Sequence, residues 1–181
     1  MAGDQPQAPL VSVIVTSYNQ RELLQKTLES VIAQTYPNLE IIVADDHSTD
    51  DTDQFIDRLK GRTDRPIVYH KQPQNVGIPR NRNSALEKVR GEYFTILDGD
   101  DLYEPDNIAR LVETAEARNL IAVYSNVDYI DQDDQYIRIR DTEPRPEGKI
   151  AVDIGLGAFG MMRNMLLRAS TLRTTGTMDP A

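Results

Sequence analysis

Three carboxylates within four residues, Asp98-Gly99-Asp100-Asp101, close a run that begins as an apolar strand at Tyr93-Phe94-Thr95-Ile96-Leu97. Like charges at the end of such a strand repel one another and resist leaving water. A hard divalent cation, Mg²⁺ or Mn²⁺, removes that cost. It takes oxygen ligands and completes its shell with water and substrate phosphates. Gly99 suits such a site, because without a Cβ it permits a sharp turn and a close approach by a ligand. The simpler alternative is a polar turn in which Asp101 or a neighbour caps the helix expected near Pro105.

The elements that would position these carboxylates alternate along the chain. Val11–Thr16 is expected as a strand, rich in β-branched residues and ending in Ser17-Tyr18-Asn19. A helix is expected over Arg21–Gln34, with Leu24, Leu28, Val31 and Ile32 on one face and Asn19 as its N-cap. Leu39–Ala44 is a continuous apolar run, the pattern of a parallel strand covered on both faces. It ends in Asp45-Asp46-His47, ahead of a helix over Thr52–Lys60 capped by Ser48, Thr49 or Asp50. A short strand at Ile67–His70, a loop at 74–79 and a basic helix over Arg80–Arg90 follow, with Gly91 as a left-handed helix terminator. After the acidic strand come a helix at Pro105–Arg118 and strands at Ile121–Tyr124 and Tyr136–Ile139.

This alternation implies an α/β fold, an open and mostly parallel sheet with helices on both faces. Ligands of such folds bind outside the carboxyl ends of the strands. Three strand ends are polar here: Thr16/Tyr18/Asn19, Asp45/Asp46 and Asp98/Asp100/Asp101. Parallel strands bring all three to one rim. A carboxylate-bound cation, an aromatic ring and arginines from the 80–90 helix suit a nucleoside diphosphate with a group attached. Tyr18 could stack on the base, Asp46 accept from a base N–H, and Asp98 hold ribose hydroxyls. Asp100 would ligate the metal, and Arg82 or Arg80 would neutralise phosphate as the leaving group departs.

Composition narrows the field. The 181 residues suffice for one domain, and 39% hydrophobic with 27% charged residues is a soluble globular balance. A formal charge of −9 argues against a general nucleic-acid binder. There is no cysteine, so disulfides and thiolate metal sites are excluded. No signal peptide, membrane span or solenoid repeat is visible in the sequence, which is consistent with a cytoplasmic protein. Residues 1–9 read as a disordered polar leader with two prolines. A Rossmann glycine fingerprint, a P-loop and a nucleophile elbow are all missing.

The segments VSVIVTSYNQ, LEIIVADDHSTDDT and NVGIPRNRNSALEKVRGEYFTILDGDDLYEPD resemble, in order and spacing, the family-2 glycosyltransferases of GT-A fold. The likeness spans residues 10–130, taken as the nucleotide-sugar-binding core, with 131–181 as the start of an acceptor-side region. It implies metal-dependent, inverting transfer from a nucleotide sugar, UDP- or dTDP-linked, to an acceptor hydroxyl on a glycan, lipid-linked molecule or protein. By the same resemblance Thr16 lies beside the base, Tyr18 stacks on it, and Asp46 contacts a uracil or thymine ring. Asp98 meets the ribose and Asp100 the metal, with Asp98 alongside. The family's Ala-Arg-Asn segment falls on Asn81-Arg82-Asn83, favouring Arg82 over Arg80 as the functional arginine. His47 stands where the family has Gly or Asn, and Asn81 where it has Ala. The family's acceptor-side base belongs to an acidic motif beyond Ala181, so the chain reads as an N-terminal portion of such an enzyme. Asp128 and Asp153 would be the stand-ins if it ended there.

Other residues have plainer readings. Asp45 is expected to be structural, Asp50 and Asp51 to serve a helix start, and Arg80, Lys88 and Arg90 to be solvated. His47 and His70 read as surface or loop residues. Asp101 either orients metal waters and the donor sugar or caps a helix. The Gly155–Gly160 run reads as an acceptor-side loop. Gly160–Arg173 reads first as a buried helix, with peripheral membrane contact, extended by regions outside this chain, as the alternative. Two other functions fit the same carboxylates: a nucleotidyltransferase that makes a nucleotide sugar, and a non-catalytic nucleotide-sugar-binding module.

Overall fold

Alternating apolar strands and amphipathic helices form a layered α/β structure. The computed structural model describes residues 8–131, 133–140, 148 and 164–179. Asp153, the Gly155–Gly160 run, Arg163 and residues 1–7 of the leader lie outside the described residues. The first half runs β1 (Val11–Ser17), α1 (Arg21–Ile32), β2 (Leu39–Asp45), α2 (Thr52–Lys60), β3 (Ile67–Lys71), α3 (Ile78–Leu86) and β4 (Tyr93–Asp98). The second runs α4 (Asn107–Arg118), β5 (Ala122–Tyr124), β6 (Val127–Ile130), β7 (Tyr136–Arg140), β8 (Met165–Arg168) and α5 (Ser170–Thr175).

The main sheet has the order β3-β2-β1-β4-β8-β5, and β6-β7 forms a separate antiparallel pair. Strands β3, β2, β1 and β4 are mutually parallel. Strand β8 runs antiparallel between β4 and β5. Where the expected helix over Gly160–Arg173 falls on described residues, from 164 on, the chain is instead a strand at Met165–Arg168 followed by the short helix α5. Its Met and Leu side chains complete the sheet between two neighbours rather than the face of a helix.

All seven residues of β2 are buried, as its unbroken apolar run requires. Alternate side chains divide between two cores. Val11, Val13, Val15, Ile41 and Val43 join Leu24 and Leu28 of α1, Phe55 and Ile56 of α2, and Ile108 and Leu111 of α4. Ile14, Ile42, Ala44 and Phe94 face the opposite core with Ala85 and Leu86 of α3.

Several local expectations are revised. Helix α3 spans Ile78–Leu86, earlier and shorter than Arg80–Arg90, because Gly77 at φ 83 releases the chain directly into it. Gly91 is not left-handed. Its smallness matters because a Cβ would lie 2.5 Å from the Tyr93 carbonyl oxygen, 2.7 Å from that of Leu10 and 2.8 Å from the Ser12 nitrogen. Asn19 does not cap α1. At φ 49 its side chain accepts from the Thr49 N–H instead, and Gln20 occupies the cap position. The Arg21 N–H is met from another loop by the Asp50 carboxylate, at 3.2 Å. Asp50 also accepts from the Thr52 N–H and hydroxyl at the start of α2.

Candidate active site

The register of β1 with its neighbours levels the three polar strand ends. Thr16 is opposite Ala44 on one side and Asp98 on the other, and Ser17 is opposite Asp45. Thr16 Oγ1 donates to Asp98 Oδ1 at 3.1 Å. The same carboxylate oxygen accepts from Arg82 Nη2, carried across the rim by α3. Arg82 Nε and Ser17 Oγ are buried and have no hydrogen-bond partner among the described residues. Two polar atoms left without partners beside a held carboxylate give this rim spare capacity for a ligand.

Asp46, buried just beyond β2, accepts from the Val76 N–H at 2.7 Å and the Gly77 N–H at 2.9 Å. A carboxylate offers about four lone-pair sites, so these bonds fix its orientation and leave acceptor capacity. The sequence reading missed this loop as its support. The proline and glycine punctuation around residues 73–79 was the only signal. Tyr18 is 49% exposed at the end of β1, with its ring open to solvent. Asp100 is exposed. The Asp101 N–H donates to the Asp98 carbonyl at 3.0 Å, closing the turn at the end of β4. Gly99 is required here by contact rather than by φ: a Cβ would lie 2.5 Å from both the Thr16 carbonyl oxygen and Gln20 Nε2.

Asp45 is fully buried and holds the turn, accepting from the Ser48 N–H at 2.8 Å. The Tyr69 hydroxyl sits between Asp45 Oδ2 at 2.5 Å and Asp53 Oδ1 at 2.6 Å. Burial, followed by those two carboxylates, pushes the Tyr69 hydroxyl pKa far above its ordinary value. It therefore remains a donor. The Tyr69 hydrogen bond and then Lys71 hold Asp53 below the usual carboxylate range. His47 stands at φ 70, the conformation Gly or Asn adopts most easily, and its Nδ1 lies 3.1 Å from the Gln72 carbonyl. The turn after Asp46 thus keeps a left-handed residue despite the substitution. His70 lies within β3, as the expected strand Ile67–His70 has it, and is partly buried.

Asp98 and Asp100 offer hard oxygen donors. Among the described residues no three His, Asp or Glu side chains converge to hold a metal by themselves. That donor set fits a cation that draws the rest of its shell from a diphosphate and water. Partnerless Arg82 Nε and Ser17 Oγ at the same rim fit an anionic ligand.

Residues 12–174 match the model of the Glycosyl transferase family 2. The chain belongs to that family. The chain is 38% identical over 124 residues to the Escherichia coli UDP-Glc:alpha-D-GlcNAc-diphosphoundecaprenol beta-1,3-glucosyltransferase WfaP, covering 68% of this chain and 48% of the relative. It is 34% identical over 125 residues to the putative teichuronic acid biosynthesis glycosyltransferase TuaG of Bacillus subtilis, covering 69% and 49%. The chain thus spans about half the length of these curated relatives. Among solved structures, S. aureus TarS 1-349 in complex with UDP superposes with a TM-score of 0.79 at 20% identity, over 94% of this chain and 50% of that one. The mannosyltransferase PcManGT from Pyrobaculum calidifontis, in complex with GDP-Man and Mn²⁺, gives 0.74 at 22% identity, over 97% and 49%. The fold is therefore that of GT-A glycosyltransferases, as the resemblance of the three motifs implied, on the open, mostly parallel sheet that the alternating elements predict. Among the described residues no helix is long and apolar enough to cross a membrane.

Proposed function

We propose that this family-2 chain binds a nucleotide sugar and transfers the sugar to an acceptor hydroxyl with inversion at the anomeric carbon. The observation that carries the reading is the Thr16–Asp98–Arg82 cluster on the strand-end rim, with unpartnered Arg82 Nε beside it. Thr16 and Tyr18 flank the base, and Asp46 accepts from a base N–H. Asp98 holds ribose hydroxyls, and Arg82 turns to the diphosphate. Asp100, with Asp98, would hold Mn²⁺ or Mg²⁺, which when bound neutralises charge on the two phosphates. Asp101 closes the turn that fixes Asp98 and Asp100 relative to each other. The anomeric carbon–oxygen bond to the diphosphate breaks as the acceptor oxygen attacks. The negative charge develops on the departing diphosphate oxygen, where Arg82 stabilises it, and the acceptor proton passes to a base on the acceptor side. The UDP-glucose in the name of the Escherichia coli relative favours a uridine donor, and its lipid-linked substrate makes a lipid-linked acceptor the first to test.

Calorimetric titration with UDP, dTDP and GDP, each with Mn²⁺ and then EDTA, tests this reading. Metal-dependent binding that favours a pyrimidine diphosphate is expected. In Asp100→Ala the metal-dependent part should fall about 100-fold, the scale of losing a charge-assisted contact. Equal metal-dependent binding in wild type and Asp100→Ala would overturn the assignment.

A further inference from the structure

Three consecutive residues of α3 reach three different parts of the chain. Asn81 Nδ2 donates to the Ala44 carbonyl at the end of β2, at 2.9 Å. Arg82 holds Asp98 at the end of β4. Asn83 Nδ2 donates to the Met178 carbonyl at 2.7 Å, and the Met178 N–H donates to Asn83 Oδ1 at 2.9 Å. A primary amide carries a donor and an acceptor on one plane. Asn83 therefore pairs both backbone groups of Met178, much as a neighbouring strand would. The paired residue lies where the chain has left α5 through Gly176 at φ 77, ahead of the exposed Asp179.

We infer that Asn83 is a positioning residue that ties the 176–179 segment to the donor-site helix, so that diphosphate engagement by Arg82 and the placement of that segment are coupled. The inference rests on the donor-site reading above. Adjacent helical residues share one short rigid backbone and point about 100° apart. A movement of α3 that carries Arg82 from Asp98 toward a phosphate must also carry the Asn83 amide. Because that amide holds Met178 at both backbone groups, the segment either follows or loses its clamp. Asn81 limits the motion by anchoring the same turn to β2.

Amide hydrogen exchange at Met178, with and without UDP plus Mn²⁺, tests the coupling in wild type, Asn83→Ala and Asn83→Asp. Without nucleotide, Asn83→Ala should lose about tenfold of the Met178 protection. Asn83→Asp, which keeps the acceptor and loses the donor, should retain part of it. Nucleotide should change Met178 exchange in wild type and leave Asn83→Ala unchanged. By linkage, the UDP affinity of that variant should shift by the same factor by which nucleotide changes Met178 exchange in wild type. Equal Met178 protection in wild type and Asn83→Ala overturns the clamp. Nucleotide that binds wild type without altering Met178 exchange overturns the coupling alone. Failure of wild type to bind any nucleoside diphosphate overturns the donor-site reading, and the coupling with it.

Discussion

Both ends of the parallel strands carry a carboxylate joined to an arginine, but the two pairs are built differently. At the amino end, Glu40 is 1% exposed. It accepts from Ser12 Oγ at 2.6 Å, from Arg90 Nε at 2.8 Å and from the Arg90 N–H at 3.2 Å. Ser12 Oγ in turn accepts from the Gly91 N–H at 2.9 Å. Arg65 beside this end is engaged by the carbonyls of Pro37 and Gln34. At the carboxyl end the burial is reversed. The Arg82 side chain is 15% exposed and that of Asp98 31%, and Arg82 Nε and Ser17 Oγ lack partners. A closed network satisfies its buried charge internally and supports the fold. An open one keeps donors in reserve, as a site must if a ligand is to supply the missing partners.

Two glycines give the sharpest way to break this contrast. An added Cβ at Gly91 would meet three backbone atoms at 2.5–2.8 Å. Backbone cannot rotate aside, so Gly91→Ala should lower stability by about 3 kcal/mol. The folded fraction should bind nucleotide as wild type does. At Gly99 one of the two closest atoms is the end of the flexible Gln20 side chain, although the other is the Thr16 carbonyl. Gly99→Ala should therefore cost less stability, about 1–2 kcal/mol, yet abolish nucleotide binding by displacing Asp98 and Asp100. Urea midpoints read beside UDP titrations separate the two. Loss of binding in Gly91→Ala with retained stability would erase the distinction between the ends.

The same contrast explains how much was legible in the sequence. Strand ends and apolar runs are local patterns, so β1 to β4, their parallel sense and the polar rim could be read directly, whereas the order β3-β2-β1-β4 could not. The acidic cluster lies at the end of one of those runs, whereas Arg82 was separated from Arg80 only by the family likeness. Contacts between distant residues leave no such pattern. Nothing in the text of the chain pairs Ser12 with Glu40, and Arg90 reads as a solvated helix charge although it partners a buried carboxylate. Strand β8 is four residues long and sits among Met, Leu and Arg, so its helical and strand periodicities are indistinguishable. Asn19 reads as an N-cap by type, but its left-handed backbone and the Thr49 amide redirect it. The amides of Val76 and Gly77, which fix Asp46, belong to backbone whose side chains carry no chemistry.

A milder substitution sharpens the comparison. Glu40→Gln keeps the shape of the closed network while removing its charge. Arg90 is 65% exposed and regains water readily. The loss should therefore be about 1–2 kcal/mol, below the usual cost of leaving one member of a buried pair stranded. UDP affinity should not move, because Glu40 is at the opposite end of β2 from Asp46. A fall in affinity matching the fall in stability would mean that the two ends are not independent.

The smallest expected effect comes from His70 on β3. Burial, followed by nearby Lys88, lowers its pKa below the ordinary histidine value, with Glu87 opposing. The folded protein therefore binds fewer protons than the unfolded chain as the pH drops through about 6.5, the unperturbed value. The His70 contribution to stability is fully present above that pH and is lost as the pH falls toward and through the lowered folded value. The urea midpoint should accordingly fall between pH 7.5 and 5.5, and less steeply in His70→Asn. Asp53 titrates below this window in the folded state, so its own loss begins at lower pH. Any step in nucleotide affinity over the same range, such as that from the terminal phosphate of UDP, should be the same in wild type and His70→Asn, because β3 is separated by β2 from the Thr16–Asp98 pair on β1 and β4. Identical midpoint slopes in wild type and His70→Asn would remove His70 as the source. A parallel step in UDP affinity that disappears in His70→Asn would instead extend the open end of the sheet to β3.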